Sequence, residues 1–277
     1  MAARIDLTRD FESVVRTMPP FPNVVLQLLD VLRKDDLSLD TLVRIAKKDA
    51  VIAGNILARA NRIRRAHVQP DLNDPFSAAS LIGLNQLRSI VVASGMNRFL
   101  SAGGADQFLY RHSIAVAITA QELSGLSGIS RETAYVAGVL HDVGQICYCK
   151  ADPVAFEAVY LEAAIDGKLL ERETETFGID HCVLGAKLAE HWNLPADFVS
   201  TILTHHDDSA VTSKLQATIV LAESLARALD IPSSPKNRLL KLNAPAAAEL
   251  GVDWGHEEMR DCFGRCRARY RQAISGA

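Results

Sequence analysis

The sequence predicts an all-α protein. Apolar residues recur at helical spacing along almost the whole chain. No segment shows a sustained alternation of β-branched residues, and cap-forming residues stand directly before several of the apolar runs.

Taken in order, residues 5–17 read as a first helix, stopped by Pro19 and Pro20. The run NVVLQLLDVLRK places apolar side chains at 24, 25, 28, 29 and 32, one helical face. Ser38 is an N-cap for LDTLVRIAKKD, and Asp49 for AVIAGNILARANRI. PFSAASLIGL and NQLRSIVVASGMNRFL follow as two helices, broken near Gly83. Gly103-Gly104 is the clearest boundary in the chain. Beyond it, QFLYRHSIAVAITAQELSGL is amphipathic, and RETAYVAGVLHDVGQICY is small and apolar nearly all round, so it should be buried. VAFEAVYLEAAIDG, HCVLGAKLAEHW, ADFVSTILTHHDD and KLQATIVLAESLARAL complete the block. Ile231-Pro232-Ser233-Ser234-Pro235 makes a turn, and two more helical stretches close the chain.

Composition narrows the class. At 277 residues the chain can bury a sizeable core, and a net charge of -3 gives no sign of a nucleic-acid binder. No run of 18 apolar residues suggests a membrane span, and the mixed-charge start does not support a signal peptide. Five cysteines without zinc-finger spacing read as reduced thiols of a cytoplasmic protein.

The chemistry-bearing residues lie after Gly104. Four helices carry His112, His141 with Asp142, His181, and His205 with His206; a fifth offers Glu223. Imidazole and carboxylate donors suit Fe, Mn, Ni or Zn, while no cysteine is expected near enough to make a thiolate site. Neighbouring residues on a helix point about 100° apart, so His141 and Asp142 can act together only where the helix ends, for which Val143-Gly144 gives the opportunity. An aspartate there can bridge two ions about 3.5–4 Å apart. His112, His141 and Glu223 would stand on one side, with His181, His205 and His206 on the other. The alternative is a hydrogen-bonded polar network without metal, since unpaired rings beside apolar faces would cost roughly 1–3 kcal/mol each.

These residues carry a family resemblance. HSIAVA, GVLHDVGQ, FGIDHCVLGAKLAEHWNLP and ILTHHD, preceded by MPPFPNVVLQLLDVL, KKDAVIAGNILARAN and SLIGLNQLRSIV, resemble the HDOD domain over residues 18–230. That domain is a bacterial relative of the HD and HD-GYP phosphohydrolases. The resemblance implies a helical bundle with an N-terminal subdomain (1–103), an HD-like subdomain (104–230) and a C-terminal helical extension (231–277). It implies a signalling or regulatory module, responsive to a signalling protein or a nucleotide ligand, with one or two divalent ions at the HD site. The alternative is a metal-dependent phosphodiesterase acting on nucleotides or cyclic dinucleotides, with Asp142 as its catalytic residue. Gln145, a candidate substrate contact, stands where the phosphohydrolase pattern has a lysine. Glu223 replaces the enzymes' metal-binding aspartate, and no GYP sequence follows His205-His206.

Smaller signals have plainer readings. Cys147-Tyr148-Cys149 reads as buried inert thiols rather than a redox pair. Arg59, Arg62, Arg64 and Arg65 suit a helix C-terminus, and the arginines of 260–271 suit a solvated face. Glu173 and Asp180 are candidates for orienting His181. Asn55 and Asn61 suggest no chemical role.

Overall fold

The computed structural model describes residues 6–8, 11–33, 38–207, 211–237 and 242–275. Among them every regular element is a helix. The first six are α1 (Phe11–Thr17), α2 (Asn23–Arg33), α3 (Leu39–Ala46), α4 (Ala50–Ala66), α5 (Pro75–Ile82) and α6 (Leu84–Gly103). There follow α7 (Gln107–Ser127), α8 (Arg131–Leu140), α9 (Val143–Ala151), α10 (Pro153–Asp166) and α11 (Leu169–Phe177). The last five are α12 (His181–His191), α13 (Ala196–Thr204), α14 (Lys214–Ala228), α15 (Ala244–Glu249) and α16 (Glu257–Ser275). No single helix here is long and apolar enough to cross a membrane.

The chain forms two compact units, one of residues 20–100 and one of residues 1–19 with 101–277. In the first, the caps act as expected: the Ser38 hydroxyl accepts from Thr41 N–H, and the Asp49 carboxylate from Val51 and Ile52. Val25, Leu28, Leu42, Ile52, Ile56, Leu87 and Met96 fill the core. Asn55 and Asn61 are structural. Asn55 donates to the Ser94 hydroxyl, and Asn61 both donates to Leu72 O (3.0 Å) and accepts from Leu72 N–H (2.7 Å), pinning the loop after α4. Arg65 pairs with Asp71 in the same loop, and Arg59 donates to Gln86.

In the second unit α7 is the central helix, packed by α8, α14 and α16. Its end holds a charge cluster. The Glu122 side chain, only 5% exposed, takes Arg131, Arg265 and Arg269. Two of the late arginines therefore hold α16 to α7, where the sequence suggested a solvated face.

Two further helix assignments need correction. Among the described residues the first helix is Phe11–Thr17; residues 6–8, which the sequence placed in it, are non-helical, and Leu7 N–H donates to Phe177 O instead, while residue 5 lies outside the described residues. The stretch from 131 to 148 is two helices, interrupted at His141-Asp142. In addition, α11 is not expected from the sequence, because LLERETETF is mostly charged and polar and has few apolar residues to mark its face.

Candidate metal centre

The interruption at His141-Asp142 makes the site. Gly144 allows it by close approach. A Cβ on Gly144 would lie 2.2 Å from His181 O and 2.9 Å from His181 Cα, so the start of α9 touches the start of α12. Asp142 stands at the N-terminus of α9 without capping it, which frees the carboxylate for the interior. Gly138 does the same for α8 against α7, where a Cβ would meet Ala117 Cα at 2.5 Å.

The Asp142 carboxylate lies among four imidazoles, one pair to each oxygen. Oδ1 is 3.2 Å from His181 Nε2 and 3.4 Å from His205 Nε2, and those two nitrogens are 3.3 Å apart. Oδ2 is 3.3 Å from His141 Nε2 and 3.6 Å from His112 Nε2. All five residues are at most 2% exposed.

The far side of three rings fixes their tautomers. His141 Nδ1–H donates to Gly138 O (2.7 Å), His205 Nδ1–H to Ile202 O (2.8 Å), and His181 Nδ1–H to Glu173 Oε2 (2.6 Å). Carbonyls and carboxylates only accept, so each neutral ring turns a lone pair on Nε2 toward Asp142. Lone pairs and a carboxylate converging in a dry interior repel unless a cation lies between them. The orphaned atoms agree: both nitrogens of His112, His141 Nε2, His206 Nε2 and Asp142 Oδ1 have no hydrogen-bond partner. The outer partners are those that orient metal-bound histidine.

The donors fall into two groups, each within 4.8 Å of one another: His112, His141 and Glu223; and His181, Cys182, His205 and His206. Every candidate ligand read from the sequence is thus in one place. Glu223 is partly engaged, its Oε1 taking Arg227 Nε (3.1 Å) and Nη2 (2.9 Å) from one turn further along α14. Arg227 also reaches the Tyr160 hydroxyl, at 3.5 Å. Cys182 overturns one expectation: its Sγ is 3.6 Å from His181 Nε2, so a thiol does stand at the centre. The sequence showed it only as the residue following His181. The i, i+4 spacing of Glu223 and Arg227 is visible in the sequence too.

The electrostatics are divided. Burial drives His112 down to about 3, helped by Arg227 and opposed by Asp142. Burial and His205 hold His206 well below the ordinary range. For His181 burial opposes the charge, but Cys182, Glu173 and Asp142 outweigh it and raise the ring well above its ordinary value. His205 rises to about 10, where Cys182 and Asp142 outweigh burial. A bond between two Nε2 atoms needs one donor and one acceptor, so this pair shares one proton rather than holding two. Burial opposes the charge of Asp142 too, yet His141, His181 and His205 keep its carboxyl well below the usual range. Burial raises the Cys182 thiol, while His181 and His205 bring it down to about 7.

Gln145 is wholly buried one turn after Asp142, and neither amide atom is hydrogen-bonded. Asp180 caps α12 through Val183 N–H and does not contact the His181 ring, so of the two acids proposed to orient it only Glu173 does. Cys147 is buried, its thiol raised by burial to about 12, in keeping with an inert thiol.

A helical fold with imidazoles gathered round an interrupted-helix aspartate defines a protein of HD type. A family model of the HDOD domain matches residues 18–208, and the chain belongs to that family. The structure is similar to an HDOD domain protein of unknown function from Geobacter sulfurreducens (TM-score 0.63, 23% identity, 94% of this chain and 98% of that one). It is also similar to a candidate signal transduction protein from Marinobacter aquaeolei VT8 (TM-score 0.71, 18% identity, 97% and 64%). A candidate metal-dependent phosphohydrolase from Shewanella amazonensis SB2B shares the fold at a TM-score of 0.51, with 18% identity over 91% of this chain and 92% of that one. In sequence, an uncharacterised protein of Treponema pallidum (strain Nichols) is 25% identical over 222 residues, 77% of this chain and 43% of its own length. Ribonuclease Y of Mycoplasma mycoides is 28% identical over 137 residues, 50% of this chain and 26% of that enzyme. The chain therefore spans less than half the length of these relatives.

Proposed function

We propose that this HDOD protein is a cytoplasmic regulatory module whose His/Asp centre holds one or two divalent transition metals and responds to a signalling protein or a nucleotide ligand. The observation that carries the metal is the Asp142 carboxylate, each oxygen of which faces a different pair of imidazoles. His112, His141, His181, His205 and Asp142 would hold the ions, with His206 and Glu223 beside them.

The two-sided carboxylate also favours a second reading, a metal-dependent phosphohydrolase. Divalent ions held there would supply Lewis acidity for cleaving a phosphate ester. The chain's own residues would hold those ions, exclude bulk water and orient the phosphate. In that last task Gln145 is the weak member. Its amide brings no charge, and charge-assisted contacts to phosphate are about twice as strong as neutral ones. Regulation without fast turnover is accordingly the preferred reading.

Metal analysis and turnover on one set of proteins test both. Wild type should carry up to two ions per chain and Asp142→Ala should lose far more metal than Gln145→Ala, while cyclic dinucleotide hydrolysis is slow or undetectable with Mn, Fe or Ni. Gln145→Lys should raise any hydrolysis. Rapid wild-type turnover abolished by Asp142→Ala would make the protein an enzyme. Equal metal content in wild type and Asp142→Ala would remove the metal centre.

A further inference from the structure

We propose that Cys182 is a metal ligand, its thiolate joining His181, His205 and His206 in a nitrogen-sulfur subsite on the Oδ1 side of Asp142. The proposal rests on the metal-centre reading and adds to it the donor set, and hence the class of ion, on one side.

The lengths fit. A tetrahedral ion with nitrogen donors at about 2.0–2.1 Å and sulfur at about 2.3 Å spaces its nitrogens about 3.3 Å apart and nitrogen from sulfur about 3.5 Å. His181 Nε2 and His205 Nε2 are 3.3 Å apart, and Cys182 Sγ is 3.6 Å from His181 Nε2. Cys182 is only 3% exposed, so its sulfur has no bulk water to face. The buried His206 Nε2 lacks any hydrogen-bond partner, and its ring centroid is 4.3 Å from that of His205 and 5.1 Å from that of His181. A thiol hydrogen bond to His181 Nε2 would explain the 3.6 Å contact alone. It would leave His206 unpaired, and it would compete with Asp142 and His205 for the same nitrogen. Cys182 also sits in the first turn of the eleven-residue α12, where the helix dipole favours an anionic sulfur.

The two sides of Asp142 then differ in kind. His112, His141 and Glu223 offer only nitrogen and oxygen. The Cys182 side selects ions that accept thiolate, such as zinc, cobalt or ferrous iron, over manganese or magnesium.

Cobalt substitution of the full chain tests the proposal. Wild type loaded with Co(II) should show a near-ultraviolet thiolate-to-cobalt charge-transfer band beside the visible ligand-field bands. Cys182→Ser should lose the former and keep the latter, while Cys149→Ser keeps both. Zinc affinity should fall at least tenfold in Cys182→Ser, with manganese affinity changed much less. X-ray absorption on zinc-loaded wild type, which needs no variant to fold, should show a sulfur neighbour at about 2.3 Å. Bound cobalt with ligand-field bands but no charge-transfer band, or a band that survives Cys182→Ser, would overturn the thiolate and leave the metal centre standing. Failure of wild type to bind cobalt or zinc at all would overturn both.

Discussion

Glu173→Gln changes one atom and tests how the centre is held. Glu173 is wholly buried, and its Oε2 accepts both His181 Nδ1–H (2.6 Å) and His181 N–H (2.9 Å). The amide oxygen can keep those contacts but loses the charge, and a hydrogen bond to a charged group contributes about 1.5–3 kcal/mol against about 1 for a neutral one. The new NH2 falls where Oε1 has no hydrogen-bond partner, and an unpaired buried donor costs about 1–3 kcal/mol. Metal-free Glu173→Gln should therefore lose about 1.5–5 kcal/mol, a fall in Tm of about 3–20 °C. Loss of an outer partner of a metal-bound histidine typically lowers affinity 10–100-fold, about 1.4–2.8 kcal/mol. Zinc titration calorimetry and thermal unfolding read the two effects, with the exposed Glu175→Gln as control. Wild-type affinity within twofold together with an unchanged Tm would refute the orienting role of Glu173.

Two more expectations concern packing and protons. Gly144→Ala forces a methyl into the backbone of His181 and should cost about 1–3 kcal/mol or more, with loss of metal, whereas the open Gly125→Ala should not; an unaltered unfolding curve for Gly144→Ala would contradict the close approach. The proton shared by raised His181 and His205 must leave when a cation binds, while lowered His112 and His206 have none to give. Above about 7, where the Cys182 thiol is already ionised, affinity should thus rise about tenfold per pH unit toward about 10, with about one proton released per chain in calorimetry across buffers; affinity that is flat or falls with pH would count against the assignment.

Much of this was written in local sequence. Helical period, Ser38, Asp49 and the proline stops act within four residues of the backbone, so the all-α class and most helix positions could be read along the chain. The identity and order of the histidines and Asp142 were legible in the same way, as residue types suited to one chemistry. What the sequence could not decide depends on atoms far apart in the chain. The interruption after Leu140 follows from backbone contact between Gly144 and His181. Glu122 holds arginines 143 and 147 residues away, which turned a surface reading into a helix anchor. Which imidazole nitrogen faces inward is set by Gly138 O, Glu173 and Ile202 O, and no pattern of residue types encodes it. In the sequence Cys182 is one of five reduced thiols, the residue after His181. Only the meeting of α12 and α13, with His205 arriving 23 residues later, put its sulfur at the centre, because coordination is decided by ångströms between side chains and not by spacing along a helix.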